Sequence, residues 1–179
     1  MFGETLRSVA MWLHASKIPQ IAGQILELIT KDGAVECEDP GEVRADIESV
    51  LQQYVRDDQE ITDKARDLVA ARNLPSTELS KMKRLVAEQR KLKIGDDAID
   101  YILDQMLEML MHSNNVAEVY AEDWELRRRM REPLRAQVAQ EENLQQEVRG
   151  RLKHVEEGTQ LWEVEYRRMM EDIKRRKGI

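Results

Sequence analysis

Glu108 and His112 stand four residues apart in QMLEMLMHSNNVAE. On a helix that interval puts both side chains on one face, where a carboxylate and an imidazole could hold one edge of a divalent ion. An ordinary polar contact beside a packed face accounts for the pair as well. The other histidines, His14 and His154, are far away in sequence, and no His-Glu-x-x-His or paired-cysteine spacing occurs. The runs Arg56-Asp57-Asp58-Gln59-Glu60 and Gly95-Asp96-Asp97 lack the glycine and terminal glutamate of a calcium loop. They read as negative charge placed near helix starts, where the dipole favours it. The expectation is a chain with no metal site and no cofactor.

Nucleophilic chemistry finds little support either. Cys37 is the single cysteine, and no histidine or cationic neighbour in sequence lowers its pKa. It sits in a β-prone, apolar-leaning stretch and reads as a quiet structural thiol. The eight glycines are scattered singly, so no phosphate-cradling loop exists. The chain is expected not to be an enzyme. Met106, Met109 and Met111 crowd one helix, and flexible thioethers suit adaptable surfaces. The first two coincide with Ile25 and Leu28 of an internal repeat, which favours core packing.

Cationic stretches are the remaining candidates. Residues 81–93 hold Lys81, Lys83, Arg84, Arg90, Lys91 and Lys93 against Glu88 alone. Residues 167–179 hold Arg167, Arg168, Lys174, Arg175, Arg176 and Lys177 against Glu171 and Asp172. Arg127, Arg128, Arg129, Arg131 and Arg135 form a third group among Glu122, Asp123, Glu125 and Glu132. Cations belong near helix C-termini, and i,i+4 pairs with nearby acids make ordinary solvated faces. The functional alternative is a pair of patches that grip the phosphate backbone of RNA or DNA. Only Trp162 and Tyr166 lie near the second patch, so base stacking is poorly supported.

The whole-chain balance argues against a general nucleic-acid binder, since the net charge is −7 and the pI near 5.2. A lone thiol cannot close an internal disulfide, which suits a reducing compartment. The apolar run Val9–Leu13 is too short for a signal-peptide core, and Ile99–Met111 is interrupted by Asp100, Asp104, Gln105 and Glu108. A cytoplasmic protein without membrane segments is expected. At 179 residues it can bury roughly 70% of its unfolded surface without a disulfide or metal.

What positions these residues is a repeated phrase. Residues 24–36 read QILELITKDGAVE and residues 105–118 read QMLEMLMHSNNVAE. Adding 81 carries Ile18, Ile21, Ala22, Ile25, Leu26, Leu28 and Ile29 onto Ile99, Ile102, Leu103, Met106, Leu107, Met109 and Leu110. The spacing is that of a helical face. After a two-residue insertion the offset becomes 83, and Val43, Ile47, Leu51 and Val55 fall on Leu126, Met130, Leu134 and Val138. The same offset takes Ile61, Ala65 and Val69 to Leu144, Val148 and Leu152.

Asp39-Pro40-Gly41-Glu42 predicts a capped helix start. Pro133, which replaces Val50, predicts a kink or break near Glu132. Ser76-Thr77 and Gly158-Thr159 predict later helix starts. The β-prone pieces at 33–37 and 115–120 occupy equivalent points and could pair as a small ribbon, an irregular loop being the alternative.

The stretches MWLHASKIPQIAGQIL, DPGEVRADIESVLQQYVRDD, AEDWELRRRM and EVRGRLKHVEEGTQLWEVEYRRMMEDIKRRKGI resemble the uncharacterised bacterial family called domain of unknown function 507. The resemblance covers residues 11–179 and implies a bacterial, cytoplasmic, helical protein, with no activity to carry over.

The fold expected is mainly α: two tandem copies of a four-helix unit with pseudo-twofold symmetry and a small two-stranded β ribbon between them. Residues 1–14 form an N-terminal helix or extension, 15–92 the first unit and 93–179 the second, packed as one compact domain. The function expected is a non-enzymatic helical interaction module, a scaffold or regulatory adaptor whose macromolecular partner is a protein. The alternative is a nucleic-acid-associated factor acting through the basic helix ends.

Overall fold

The computed structural model describes residues 11–179. It is mainly helical with one two-stranded antiparallel sheet. The order is α1 (Ile18–Thr30), β1 (Val35–Cys37), α2 (Pro40–Ala71), α3 (Leu79–Arg90), α4 (Ala98–His112), β2 (Val116–Val119), α5 (Asp123–Arg151) and α6 (Gln160–Lys177). Helix, strand, long helix and helix thus occur twice in that order. The N-terminal helix expected before His14 falls, through residue 10, outside the described residues, and Met11–His14 are not helical.

Two expectations need correction. Each stretch contains three α-helices, not four, because the second and third merge into α2 and into α5. The residues between Val55 and Ile61 include no glycine or proline, so nothing stops helix propagation there. Gln53 Nε2 also donates to Asp57 Oδ1 at 2.8 Å across one turn of α2. Likewise α5 runs unbroken through Pro133. The ring removes one backbone donor, but Met130 and Leu134 on either side are fully buried and hold the helix together.

The caps form where their chemistry places them. Asp39 Oδ1 accepts from the Glu42 amide at 3.1 Å, with Pro40 opening α2. Thr159 Oγ1 accepts from the Trp162 amide at 3.2 Å at the start of α6. That helix closes on Gly178 at φ 67°, a left-handed cap that glycine adopts without a Cβ penalty.

By compactness the chain divides between Arg135 and Ala136, inside α5. In the first unit, α1 and α4 bury Ile21, Ile25 and Ile29 with Ile102, Met106 and Leu110, and α2 adds Val43, Ile47 and Leu51. Met106 is fully buried and Met109 packs partly against the core, while Met111 is exposed. The ribbon pairs Val35 with Val119, Glu36 with Glu118 and Cys37 with Val116, with a bulge between Glu36 and Cys37. In the second unit, Leu144, Val148 and Leu152 of the α5 segment are buried, as are Trp162 and Ile173 of α6. Among the described residues no helix is long and apolar enough to cross a membrane.

Candidate functional site

Lys83 does not reach solvent. It is 2% exposed on α3, and its Nζ lies 2.8 and 2.9 Å from the two carboxylate oxygens of Asp58 on α2. A cation sealed in this way is structural, and no phosphate can approach it. The other cations of that stretch are exposed. Lys81 pairs with Glu78 at 3.6 Å and Arg90 with Glu60 at 2.5 Å. Arg84 is exposed and engaged. The side chains of Lys91 and Lys93 make no ion pair among the described residues.

The C-terminal stretch, in the second unit, behaves similarly. Lys174 pairs with the buried Glu141 at 3.4 Å. Lys177 reaches Glu147 at 2.6 Å, and its hydrogen bond holds that carboxyl below the usual range. Arg175 and Arg176 both converge on Asp172, and the Arg175 hydrogen bond likewise lowers its pKa. Arg168 lies 4.0 Å from Glu165, whereas Arg167 is exposed without an ion pair among the described residues. Most of the positive charge at 81–93 and 167–177 is therefore matched by carboxylates of its own unit.

The arginines of α5 do more than balance neighbours in sequence. Arg127 pairs with Asp104 at 2.6 Å and Arg131 with Asp100, which tethers α5 to α4. Arg129 donates to the Leu28 and Lys31 carbonyls, each at 3.0 Å, and pairs with Glu125 at 2.6 Å. Those carbonyls close α1, and carbonyls at a helix end lack intrahelical partners. Arg128 turns outward and lies 5.5 Å from the centroid of the Trp124 ring.

His112 Nδ1 lies 2.9 Å from the carbonyl oxygen of Glu108, so its near nitrogen meets backbone and not the carboxylate. Among the described residues, no three or more His, Cys, Asp or Glu side chains gather into a group that could hold a metal ion. Cys37 is half-buried, and burial pushes its thiol up, away from the reactive thiolate.

A cleft of about 330 Å³ lies between α2 and α4. Val50, Ile102 and Met109 supply apolar walls, and Tyr54 and Tyr101 stand side by side with ring centroids 6.1 Å apart. Several of its polar groups are engaged within the protein. Tyr54 Oη donates to the Lys93 carbonyl at 3.0 Å, and Asp46 accepts from Ser113 at 2.8 Å and Asn115 at 3.3 Å. Burial and then the nearby Asp58 charge push the Tyr54 phenol far above its ordinary value, so it stays protonated.

A further surface escaped sequence reasoning. On the ribbon Glu36 faces Glu118 directly, and Tyr120 Oη donates to Glu36 Oε2 at 3.4 Å. The Glu36 charge holds that phenol above its usual pKa. Tyr120 is 64% exposed and Trp124 63%. The sequence signal was present in EVYAEDW, whose two aromatics fall outside the apolar periodicity of α5.

A comparison with curated proteins gives no match. A comparison with family models gives one that covers residues 11–179, nearly the whole sequence. The chain belongs to the family described as "Protein of unknown function (DUF507)".

Proposed function

We propose that this chain is a non-enzymatic helical interaction module, a scaffold or regulatory adaptor that works in the cytoplasm on a protein partner. The observation that carries this reading is the set of large apolar side chains left in the open. Tyr120, Trp124 and Met111 in the first unit, and Leu161 and Val164 in the second, are each more than half exposed. Exposed aromatic and apolar residues lower free energy when a partner covers them, and such residues dominate binding at interfaces.

The experiment is co-purification of the tagged full chain from its source organism at low salt, with and without nuclease. A protein retained stoichiometrically after nuclease supports the module. Recovery of nucleic acid alone, or of nothing, overturns it.

A second reading, sequence-tolerant binding to RNA or DNA backbone, draws on the exposed Lys91, Lys93 and Arg167. It predicts an affinity that falls steeply with salt. Reversal of Lys91, Lys93 and Arg167 to glutamate abolishes that binding if this reading holds; unchanged affinity discards it.

The architecture is itself read as a duplication with a pseudo-twofold axis through the ribbon. Supporting this, Ile21, Ile25 and Ile29 share full or near-full burial with Ile102, Met106 and Leu110. The buried acids Asp58 and Glu141, related by the same offset of 83, each pair with a lysine of the following helix. Strand pairing departs from this symmetry by one residue: Val35 meets Val119, whereas its counterpart Val116 meets Cys37 and not Glu38, the register shifting between Glu36 and Cys37.

A further inference from the structure

We propose that the outward face of the ribbon, together with Trp124, docks an arginine-bearing segment of another protein. The inference rests on the interaction-module reading and names the chemistry of the partner. The ribbon has one covered face and one open face. Val35 is buried in the core and Val119 packs against it, so the alternation of a strand sends Glu36, Glu118 and Tyr120 to the other side. There Glu36 and Glu118 stand directly opposite each other, both exposed and neither ion-paired to a cation among the described residues. Like charges at directly opposed positions oppose strand pairing. A two-stranded ribbon has little cohesion to spare, so a cation supplied from outside relieves a repulsion built into the fold.

The aromatics select which cation. Tyr120 and Trp124 lie in the open, whereas Tyr54 and Trp162 of the same chain are buried. Arg128 Cζ already lies 5.5 Å from the Trp124 ring centroid, within cation–π distance, so an incoming guanidinium takes the ring's other face or displaces Arg128. Guanidinium alone among side-chain cations combines a planar stacking face with a fork of donors for carboxylates. Glu38, Glu122 and Asp123 flank the same segments and are exposed. Their field attracts a basic peptide and repels phosphate, so the face fits a protein segment and not a nucleic acid.

The test uses the full chain and a fluorescein-labelled decapeptide of alternating arginine and serine, titrated by fluorescence anisotropy in moderate salt. A lysine–serine peptide and a labelled ten-nucleotide RNA serve as comparison probes. The expected result is saturable binding of the arginine peptide, with weaker binding of the lysine peptide and none of RNA. Glu36→Lys combined with Glu118→Lys weakens binding at least about tenfold, and Trp124→Ala weakens it about threefold.

Asp96→Lys with Asp97→Lys makes the same change in net charge at exposed residues elsewhere, and it leaves binding within about twofold. Equal loss in both double variants means that the peptide senses only overall charge, and the proposal falls. It falls equally if the ribbon variants bind like the parent, or if RNA binds better than peptide. Native partners recovered identically by parent and ribbon variants leave the module reading standing while removing this face from it.

Discussion

Replacing Lys83 with methionine tests whether the buried pair is structural. Methionine keeps an unbranched, flexible side chain one heavy atom shorter and removes its charge, so most of the loss reads electrostatics and little of it packing. Lys83 is 2% exposed, and the Asp58 carboxylate lies 2.8 Å from its Nζ. Solvent cannot compensate the stranded carboxylate, and breaking a buried pair in this way costs about 3–5 kcal/mol.

Proton uptake sets a ceiling on that cost. Neutralising a carboxyl of ordinary acidity at pH 7 requires about 4 kcal/mol. The penalty for Lys83→Met is therefore about 3–4 kcal/mol at pH 7. At pH 5 the same ceiling falls to about 1.5 kcal/mol. The sign follows from linkage: a carboxyl easier to protonate in the folded variant than in the unfolded chain destabilises above the unfolded pKa, and the effect fades as pH falls toward it.

Urea denaturation followed by circular dichroism at both pH values measures the difference. The double variant Asp58→Leu with Lys83→Met removes both charges and recovers most of the loss. A single-variant cost below about 1 kcal/mol at pH 7, the size of an exposed pair, would refute the reasoning.

Other outcomes follow from neighbouring features. Ile25→Ala and Met106→Ala, at matched positions that are both fully buried, each cost about 2–5 kcal/mol by urea titration; a negligible cost at either site breaks the equivalence of the two stripes. Glu36→Lys alone replaces an opposed like-charge pair with an attractive one and raises Tm, and a lower Tm contradicts the repulsion. Burial, partly offset by the nearby Arg149 charge, pushes the Tyr166 phenol up to about 12. Its contribution to stability is thus complete below the ordinary phenol value near 10 and is lost as pH rises from there through about 12. Alkaline unfolding of Tyr166→Phe lacks that dependence, which absorbance at the phenolate band measures.

The helical faces were readable because their cause is local. A period near 3.6 fixes which side chains share a side, whatever the rest of the chain does. Hence Ile21, Ile25 and Ile29 and their counterparts Ile102, Met106 and Leu110 are all in the core. The caps at Asp39 and Thr159 were readable for the same reason, since donor and acceptor lie within one turn. Helix ends were less so. A helix start near the acidic run 56–60 and a kink or break near Glu132 were expected, from the placement of negative charge and from proline, yet α2 and α5 continue through both. At Pro133 the packing of Met130 and Leu134 outweighs one missing hydrogen bond.

By itself, then, the sequence determined the helical class, the repeated apolar stripes, the capped starts and the place where two short strands could form. Tertiary structure alone decided which charges are paired and which are free to act. Lys81, Lys83 and Arg84 are equivalent cations in the sequence, but only Lys83 points inward, toward an acid 25 residues away. Similarly, Glu36 and Glu118 are ordinary surface acids until a bulged register sets them face to face. Charge–charge energies depend on distance and on exclusion of water, and neither exists until remote segments pack together.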